Sequence, residues 1–400
     1  MKFTNNSNIL TIFLEGRIDS SNSAAADSDI STILAENPHD KVIFDAEKLE
    51  YISSAGLRVV LKVRKSEPEL KIINASLEVY EIFDMTGFTE MMTVEKAYRR
   101  LSVEGCEVIG QGANGKVYRL DGDTIVKVYM NPDSLEDIHH ERELARKAFV
   151  FGLPTAISYD VAKVGNGYGS VFELLDAKSF AKLIAGDPDN LEKYVEIYAK
   201  LLKQIHENEL KDGELPDRKA KTLKKVRNLR GAVPDEQYEK LCGLVEELPE
   251  KRNMIHGDYH IKNVLMQNGE PTLIDMDTLS MGHPIFEFSA MFLAYIGYGE
   301  TDHSNISDFL GIPFEFAERI WHETLEIYFD TTDKAKIDEI EAKSALVGYA
   351  CMLERLIRHK DEADETDMAN YDLCIRRIAE ILPEIDNLDF RERRCKSKDE

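Results

Sequence analysis

Two rhythms of apolar and polar positions run along the chain, and they divide it near residue 102. In the first part, short apolar runs at 9–14, 41–45 and 70–74 have the length and composition of strands. Between them apolar residues recur at helical spacing, first as Leu57, Val60 and Leu61 with Arg64 on the same stripe, then over 77–85. A helix buries such a stripe because about 3.6 residues complete a turn. Strands and helices in alternation, joined by short links, predict a compact α/β layer over 1–102.

Beyond residue 103 the rhythm changes. Strand-like runs at 106–109, 116–120 and 124–129 follow closely on one another, and a helical stretch covers 134–151. From 176 onward the pattern is almost wholly helical, with an apolar stripe at 191–208, an apolar run at 286–298 and a long segment at 312–381. The 286–298 run is broken by Glu287, Ser289 and Gly297, so it reads as a buried core helix. The expectation is an α+β unit with a β-containing lobe at 103–175, a largely helical lobe at 176–390, and a polar tail at 391–400 that reads as frayed.

Chemistry enters at 256–265, HGDYHIKNVL, where Asp258 stands five positions before Asn263. Ten residues on, LIDMD carries Asp275 and Asp277. One acid placed to take a proton from a hydroxyl, with an Asn and a second Asp placed to bind Mg²⁺, is what phosphoryl transfer needs, because its barrier falls mainly through positioning and charge neutralisation. Asp277 reads as a turn residue, and His256 as a brace for the loop, while His260 is open between a structural role and phosphate contact. Upstream, VIGQGANGKVY at 108–118 places Gly110, Gly112 and Gly115 before Val117, between two strand-like runs, as a flap over phosphates would require. Lys127 sits in TIVKVY, and strand alternation puts Val126 and Val128 on the opposite face. The helix containing HHERELARKAF offers Glu141 and Glu143 as partners for that Lys.

These residues resemble the aminoglycoside phosphotransferase and choline kinase branch of the protein-kinase-like fold, over roughly 103–382. The resemblance implies that Gly110, Gly112, Gly115 and Val117 cover the phosphates of ATP, that Lys127 contacts them, and that Glu143 orients Lys127. It further implies Asp258 as catalytic base, Asn263 and Asp275 as Mg²⁺ ligands, and VFELL at 171–175, with Glu173 and Leu175, as the adenine-binding hinge. IDMD stands where protein kinases have DFG, and no APE-type segment follows, which favours a small-molecule acceptor. In GHPIFEF, Glu287 replaces the Asp that the family often carries.

The first part, with YISSAGLR at 51–58, resembles a STAS domain, the fold of bacterial anti-sigma factor antagonists. That family carries a phosphorylated Ser or Thr at the start of this helix, where free N–H groups and the helix dipole stabilise phosphate. In that register the acceptor position is Ala55 and Ser53 replaces an Asp, which leaves Ser54 as the candidate phosphosite and, alternatively, as a plain N-cap. An anti-sigma-factor-like protein is the implied partner.

Composition narrows the function classes. A formal net charge of −24 and a pI near 4.9 argue against nucleic acid and anionic membranes as partners, and lean toward a cationic substrate. No run reaches the ~18 apolar residues that span a bilayer. Five cysteines, Cys106, Cys242, Cys351, Cys374 and Cys395, show no metal spacing and read as reduced thiols in a cytoplasm. The polar, basic stretch 212–230 is either a substrate gate or a solvated helix face. Three readings follow: an ATP- and Mg²⁺-dependent phosphotransferase acting on a small-molecule hydroxyl, a Ser/Thr protein kinase acting on its own STAS domain or on a regulatory partner, and a nucleotide-sensing scaffold.

Overall fold

In this computed structural model, which describes residues 1–112, 115–362 and 364–390, the two rhythms become two compact units. The first comprises Met1–Glu104 together with Val161–Tyr168, and the second takes Gly105–Asp160 and Gly169 onward, a partition that no single cut in the chain reproduces. The polar tail at 391–400 lies outside the described residues.

The first unit holds β1 (Lys2–Asn6), β2 (Ile9–Ile18), α1 (Ser23–Glu36), β3 (Lys41–Ile52), α2 (Ser54–Ser66), β4 (Lys71–Ala75), α3 (Leu77–Met85), α4 (Phe88–Met91), β5 (Thr93–Lys96) and β6 (Arg99–Leu101). Its sheet has the order β1-β2-β3-β4-β5, antiparallel between β1 and β2 and parallel thereafter. Alternation does the sorting: Leu10, Ile12 and Leu14 of β2 and Val42 and Phe44 of β3 point into the core, where they meet Ile30, Val60, Val63, Val79 and Phe83 from the helices. β1 escapes the hydrophobic pattern because all of its residues are exposed. It is set instead by the turn at Ser7 and Asn8, both at positive φ (51° and 63°), whose twist suits a two-residue hairpin. β3 runs seven residues past the expected 41–45, because its paired length follows β2 rather than its own apolar run. β6 pairs in parallel with residues 162–164.

The cap of α2 is Ser53, whose hydroxyl accepts from the N–H groups of Ala55 (3.2 Å) and Gly56 (3.5 Å). Ser54 is therefore not the cap; it is the first helical residue and is exposed. Gly56 is required by packing, since a Cβ there would lie 2.7 Å from the carbonyl of Ile18.

The second unit opens with β7 (Glu107–Gln111), β8 (Gly115–Arg119), β9 (Thr124–Tyr129), α5 (Leu135–Val150), β10 (Asp160–Val164) and β11 (Gly167–Glu173), although residues 161–168 count with the first. β7, β8, β9 and β11 pair antiparallel in that order. The helical part follows as β12 (Ala177–Ser179), α6 (Phe180–Gly186), α7 (Leu191–Glu207), α8 (Arg218–Arg227), α9 (Asp235–Glu246), β13 (Asn253–Ile255), β14 (Val264–Gln267), β15 (Glu270–Leu273), β16 (Ser280–Gly282), α10 (Ile285–Tyr295), α11 (Ser304–Leu310), α12 (Phe314–Phe329), α13 (Lys334–Arg358) and α14 (Glu365–Ile381). Its core is aromatic: Trp321, Tyr198, Tyr259, Tyr295, Tyr349, Phe286 and Phe288 are all buried. The expected core helix at 286–298 is α10, ending at Tyr295.

Placing the cap at Ser53 has a measurable consequence. Ser53→Ala should weaken α2 by about 1 kcal/mol, read as faster amide hydrogen exchange at Ala55 and Gly56 in the full chain, whereas Ser54→Ala should leave exchange there unchanged. Equal effects of the two substitutions would put the cap elsewhere.

Candidate active site

On β9, Val126 is buried in the sheet core while Lys127 and Tyr129 share the other face. The Lys127 ammonium donates to Glu141 of α5 at 3.0 and 3.2 Å and to Asp275 at 2.8 Å. Tyr129 donates its hydroxyl to the same Glu141 carboxylate at 2.5 Å. Burial alone would depress the Lys127 pKa, but Glu141 and Asp275 outweigh it and push it up, so the ammonium is a fixed positive charge.

The partner of Lys127 is thus Glu141, not Glu143. Two positions along a helix turn a side chain by about 200°, so the two acids face opposite ways. Glu141 points inward and is buried, while Glu143 is exposed and pairs with Lys147 at 2.8 Å. Tyr129 escaped the sequence reading, although its place two residues after Lys127 put it on the same strand face.

The loop between β13 and β14 carries HGDYHIKN. Two features hold it. First, Glu287, fully buried at the start of α10, accepts the backbone N–H groups of His256 (2.6 Å) and Gly257 (2.9 Å). The longer side chain of a Glu in place of Asp therefore still reaches the loop. Burial works against ionising Glu287, but His206, His256 and the Gly257 N–H outweigh it and hold its pKa below the usual carboxylate range. Second, Tyr198 of α7 and Tyr259 exchange hydrogen bonds, each hydroxyl donating to the other's backbone carbonyl (2.9 and 2.7 Å), with rings stacked 4.4 Å apart. Tyr295 extends the lock, accepting from the Ile261 N–H and donating to the Tyr198 hydroxyl, both at 3.0 Å. Gly257 has φ +84°, and a Cβ there would sit 2.8 Å from the Thr278 carbonyl.

Within this loop, Asn263 donates to the backbone carbonyl of Asp258 (2.9 Å) and to its carboxylate (3.0 Å), and His260 Nε2 lies 3.5 Å from the other carboxylate oxygen. Burial opposes ionisation of Asp258, yet His260, His256 and Asn263 together hold its pKa at about 2. His256 braces the loop as expected, with Nε2 at 3.2 Å from the Ile274 carbonyl and Nδ1 accepting from the Asp258 N–H at 3.4 Å. The Ile274 N–H donates to the Asn263 carbonyl at 3.0 Å, which ties the residue just before Asp275 to the end of the loop. Asp275 adopts a left-handed φ of 63°, a conformation that Asp tolerates better than most residues. Asp277 shares this acidic corner, and burial together with the charges of Asp275, Glu141 and Asp258 pushes its carboxyl up to about 7.

Of the Gly-rich segment, Gly110 pairs with Val117, the Gly112 N–H donates to the Gly115 carbonyl at 3.0 Å, and Ala113 and Asn114 lie outside the described residues. A Cβ on Gly115 would fall 2.3 Å from the Val128 carbonyl, so this strand approach admits only glycine. Val117 stands opposite Lys127 in register. Glu173 ends β11 opposite Thr124, and Leu174 donates to the Asp123 carbonyl at 2.8 Å, so the expected hinge segment, with Leu175 next in line, leaves the sheet alongside the Lys127 strand. Among the described residues no cluster of three or more His, Cys, Asp or Glu has metal-binding geometry, and no helix is long and apolar enough to cross a membrane.

The family model described as "Phosphotransferase enzyme family" matches residues 105–320. The chain belongs to that family. It is a phosphotransferase with an alcohol group as acceptor, and Lys127, Glu141, Asp258, Asn263 and Asp275 all lie within the matched stretch. A second model, the STAS domain, matches residues 1–101, and that stretch is accordingly a STAS domain. Over 90 residues it is 32% identical to BtrV of Bordetella bronchiseptica, which carries the name of an anti-sigma factor antagonist; the aligned stretch is 22% of this chain and 77% of that protein. Among solved structures, the ADP-bound aminoglycoside phosphotransferase APH(2'')-Ib is similar at 16% identity and a TM-score of 0.45, covering 78% of this chain and 98% of that one. A choline/ethanolamine kinase family protein from Mesorhizobium loti is similar at 15% identity and a TM-score of 0.44, covering 70% and 88%.

Two outcomes are expected of this phosphotransferase. Glu141→Gln should lower kcat/KM for ATP by about tenfold or more, through the loss of a charged partner worth roughly 1.5–3 kcal/mol, while Glu143→Gln should match wild type; the reverse ranking would reinstate Glu143. Because the folded-state pKa of Glu287 is depressed, its contribution to stability is present above the usual carboxylate range and is lost as pH falls through the folded value. Glu287→Gln should therefore melt earlier at neutral pH and flatten the acid limb of the melting-temperature profile, and an unchanged profile would show that the carboxylate does not hold the loop.

Proposed function

We propose that this chain transfers the γ-phosphoryl group of ATP to a hydroxyl of a small molecule, with Asp258 as the catalytic base and with a STAS domain that serves a regulatory partner. The observation that carries the reading is the bridging of Lys127 between Glu141 and Asp275 (2.8–3.2 Å) in the unit where Asn263 fixes the Asp258 carboxylate at 3.0 Å.

The donor set fits Mg²⁺. Asp275 supplies a carboxylate, and the Asn263 amide nitrogen is committed to Asp258, which leaves its oxygen to face a cation. Burial first, and then the negative charges of Asp275 and Glu141, raise the Asp277 pKa, and a bound cation would neutralise those charges. When bound, Mg²⁺ neutralises charge on the phosphates.

The protein's own residues do the rest. Lys127, held by Glu141, presents a permanent cation to the phosphates; the Gly110–Gly115 segment, free of side chains at its glycines, lets backbone N–H groups approach them; and Glu173 and Leu175 border the adenine. Asp258, ionised at all physiological pH, accepts the hydrogen bond of the incoming hydroxyl and aims it for in-line attack. A strong base is not needed, because little proton transfer has occurred in a loose transition state. In the STAS domain, exposed Ser54 at the start of α2 is the hydroxyl placed for phosphorylation, with an anti-sigma-factor-like protein as the partner class. Free thiols at Cys106, Cys242, Cys351 and Cys374 suit a cytoplasmic setting.

Incubating the full chain with radiolabelled ATP, Mg²⁺ and a panel of hydroxyl compounds tests this. Transfer to an added compound should fall by about 10²–10⁴ in Asp258→Asn while ATP still binds. Label that appears only on the protein itself, and vanishes in Asp258→Asn, would replace this reading with a protein kinase. Binding of ATP without any turnover would replace it with a nucleotide sensor.

A further inference from the structure

The stretch 212–230 divides between a solvated surface and a built cleft. α8 begins next to the catalytic loop: the Met281 N–H donates to the Pro216 carbonyl at 2.9 Å, and the Arg218 guanidinium donates to the Gly257 carbonyl at 3.4 Å, one residue from Asp258. From that start Arg218, Lys221 and Lys225 follow at helical spacing on one face, and they line a cavity of about 170 Å³ whose opposite wall, from α13, carries Arg355 and Arg358. Its floor is neutral, with Leu293, Cys351 and Met352. Five cations thus converge in a chain whose formal net charge is −24.

Their existing partners leave most of that charge unbalanced. Arg355 donates to the Tyr298 hydroxyl at 3.0 Å and Arg218 to a backbone carbonyl, and among the described residues only Arg358 of the five has a carboxylate within 4.0 Å, Glu354 at 3.6 Å. Burial first, then the neighbouring charges of Arg218 and Lys225, lower the Lys221 pKa, against the pull of Asp277. Like charges crowded this way oppose folding unless something anionic sits among them. The cavity is smaller than the ~300 Å³ at which drug-sized ligands are usually housed, so the complement is a compact anion rather than a large polycation. A polyamine sugar or a quaternary amine would meet repulsion here, against the lean toward a cationic substrate that overall charge alone gives.

We propose that the phosphoryl acceptor bears its own anionic group, a phosphate or a carboxylate, which Arg218, Lys221, Lys225, Arg355 and Arg358 hold while its hydroxyl faces Asp258. This deepens the phosphotransferase reading and rests on it for the role of the ligand, though not for the existence of the anion site. The transfer balances without a further reactant: the acceptor oxygen forms the new P–O bond, the bond from the γ-phosphorus to the bridging oxygen of ADP breaks, and the hydroxyl proton passes by way of Asp258 to solvent.

The test titrates the full chain, its nucleotide site filled with a non-hydrolysable ATP analogue and Mg²⁺, with inorganic phosphate, ribose 5-phosphate, glycerate and ribose, by calorimetry. Phosphate and at least one of the two anionic hydroxyl compounds should bind and compete, ribose should not, and Lys225→Glu and Arg355→Glu should each weaken phosphate binding by about tenfold or more with analogue binding retained as the check on folding. Binding of ribose as tight as that of ribose 5-phosphate, phosphate affinity unchanged in both variants, or turnover of cationic hydroxyl compounds in preference to anionic ones would each overturn the anion site and leave the phosphotransferase reading standing. Failure of the ATP analogue to bind, with phosphate binding still lost in the two variants, would do the opposite.

Discussion

Everything at the site hangs on one ammonium shared by two carboxylates. Lys127 comes from a strand, Glu141 from the helix that follows it and Asp275 from a turn 148 residues downstream, and the three meet within 2.8–3.2 Å. A charge taken partly out of water needs such partners, and each partner loses most of its reason for its position without the charge. The pairing therefore converts three local structures into one geometry. It also fixes the rotation of α5, since Glu141 can reach Lys127 only when the opposite helix face, with Glu143, looks outward.

The catalytic loop is positioned by a different device. No ion pair holds its backbone; a buried carboxylate, Glu287, collects two of its N–H groups, and a set of three tyrosines fastens its far end to α7 and α10. Neither element is chemically active, yet both decide where Asp258 points. A site assembled this way separates the polar groups exposed to it from the buried groups that aim them.

That separation explains what was legible in the sequence. Asp258, Asn263 and Asp275 stand out as candidates because they fall close together along the chain and Lys127 because it interrupts an apolar strand, and the structure joins Lys127 to Asp275 and Asn263 to Asp258. The α/β character of the first unit and the helical character of the last 200 or so residues could be read directly. Glu141 and Glu143 are not told apart by sequence, because two acids on one helix differ only in phase, and phase is fixed by what the helix packs on. β1 was invisible because an exposed edge strand carries no apolar signature. Only one wall of the cationic cleft is legible: the basic stretch 212–230 stands out, but Arg355 lies 130 residues beyond Lys225 in sequence and alone looks like an ordinary surface charge.

The reciprocal bonds between Tyr198 and Tyr259 carry a consequence for how this chain can drift. Because each hydroxyl satisfies the other residue's backbone carbonyl, and that carbonyl stays whatever side chain stands there, replacing either tyrosine strands one buried acceptor and replacing both strands two. Neither loss excuses the other, so each position is held to a hydroxyl-bearing aromatic on its own account, and a lineage that gives up one tyrosine gains no freedom at the other.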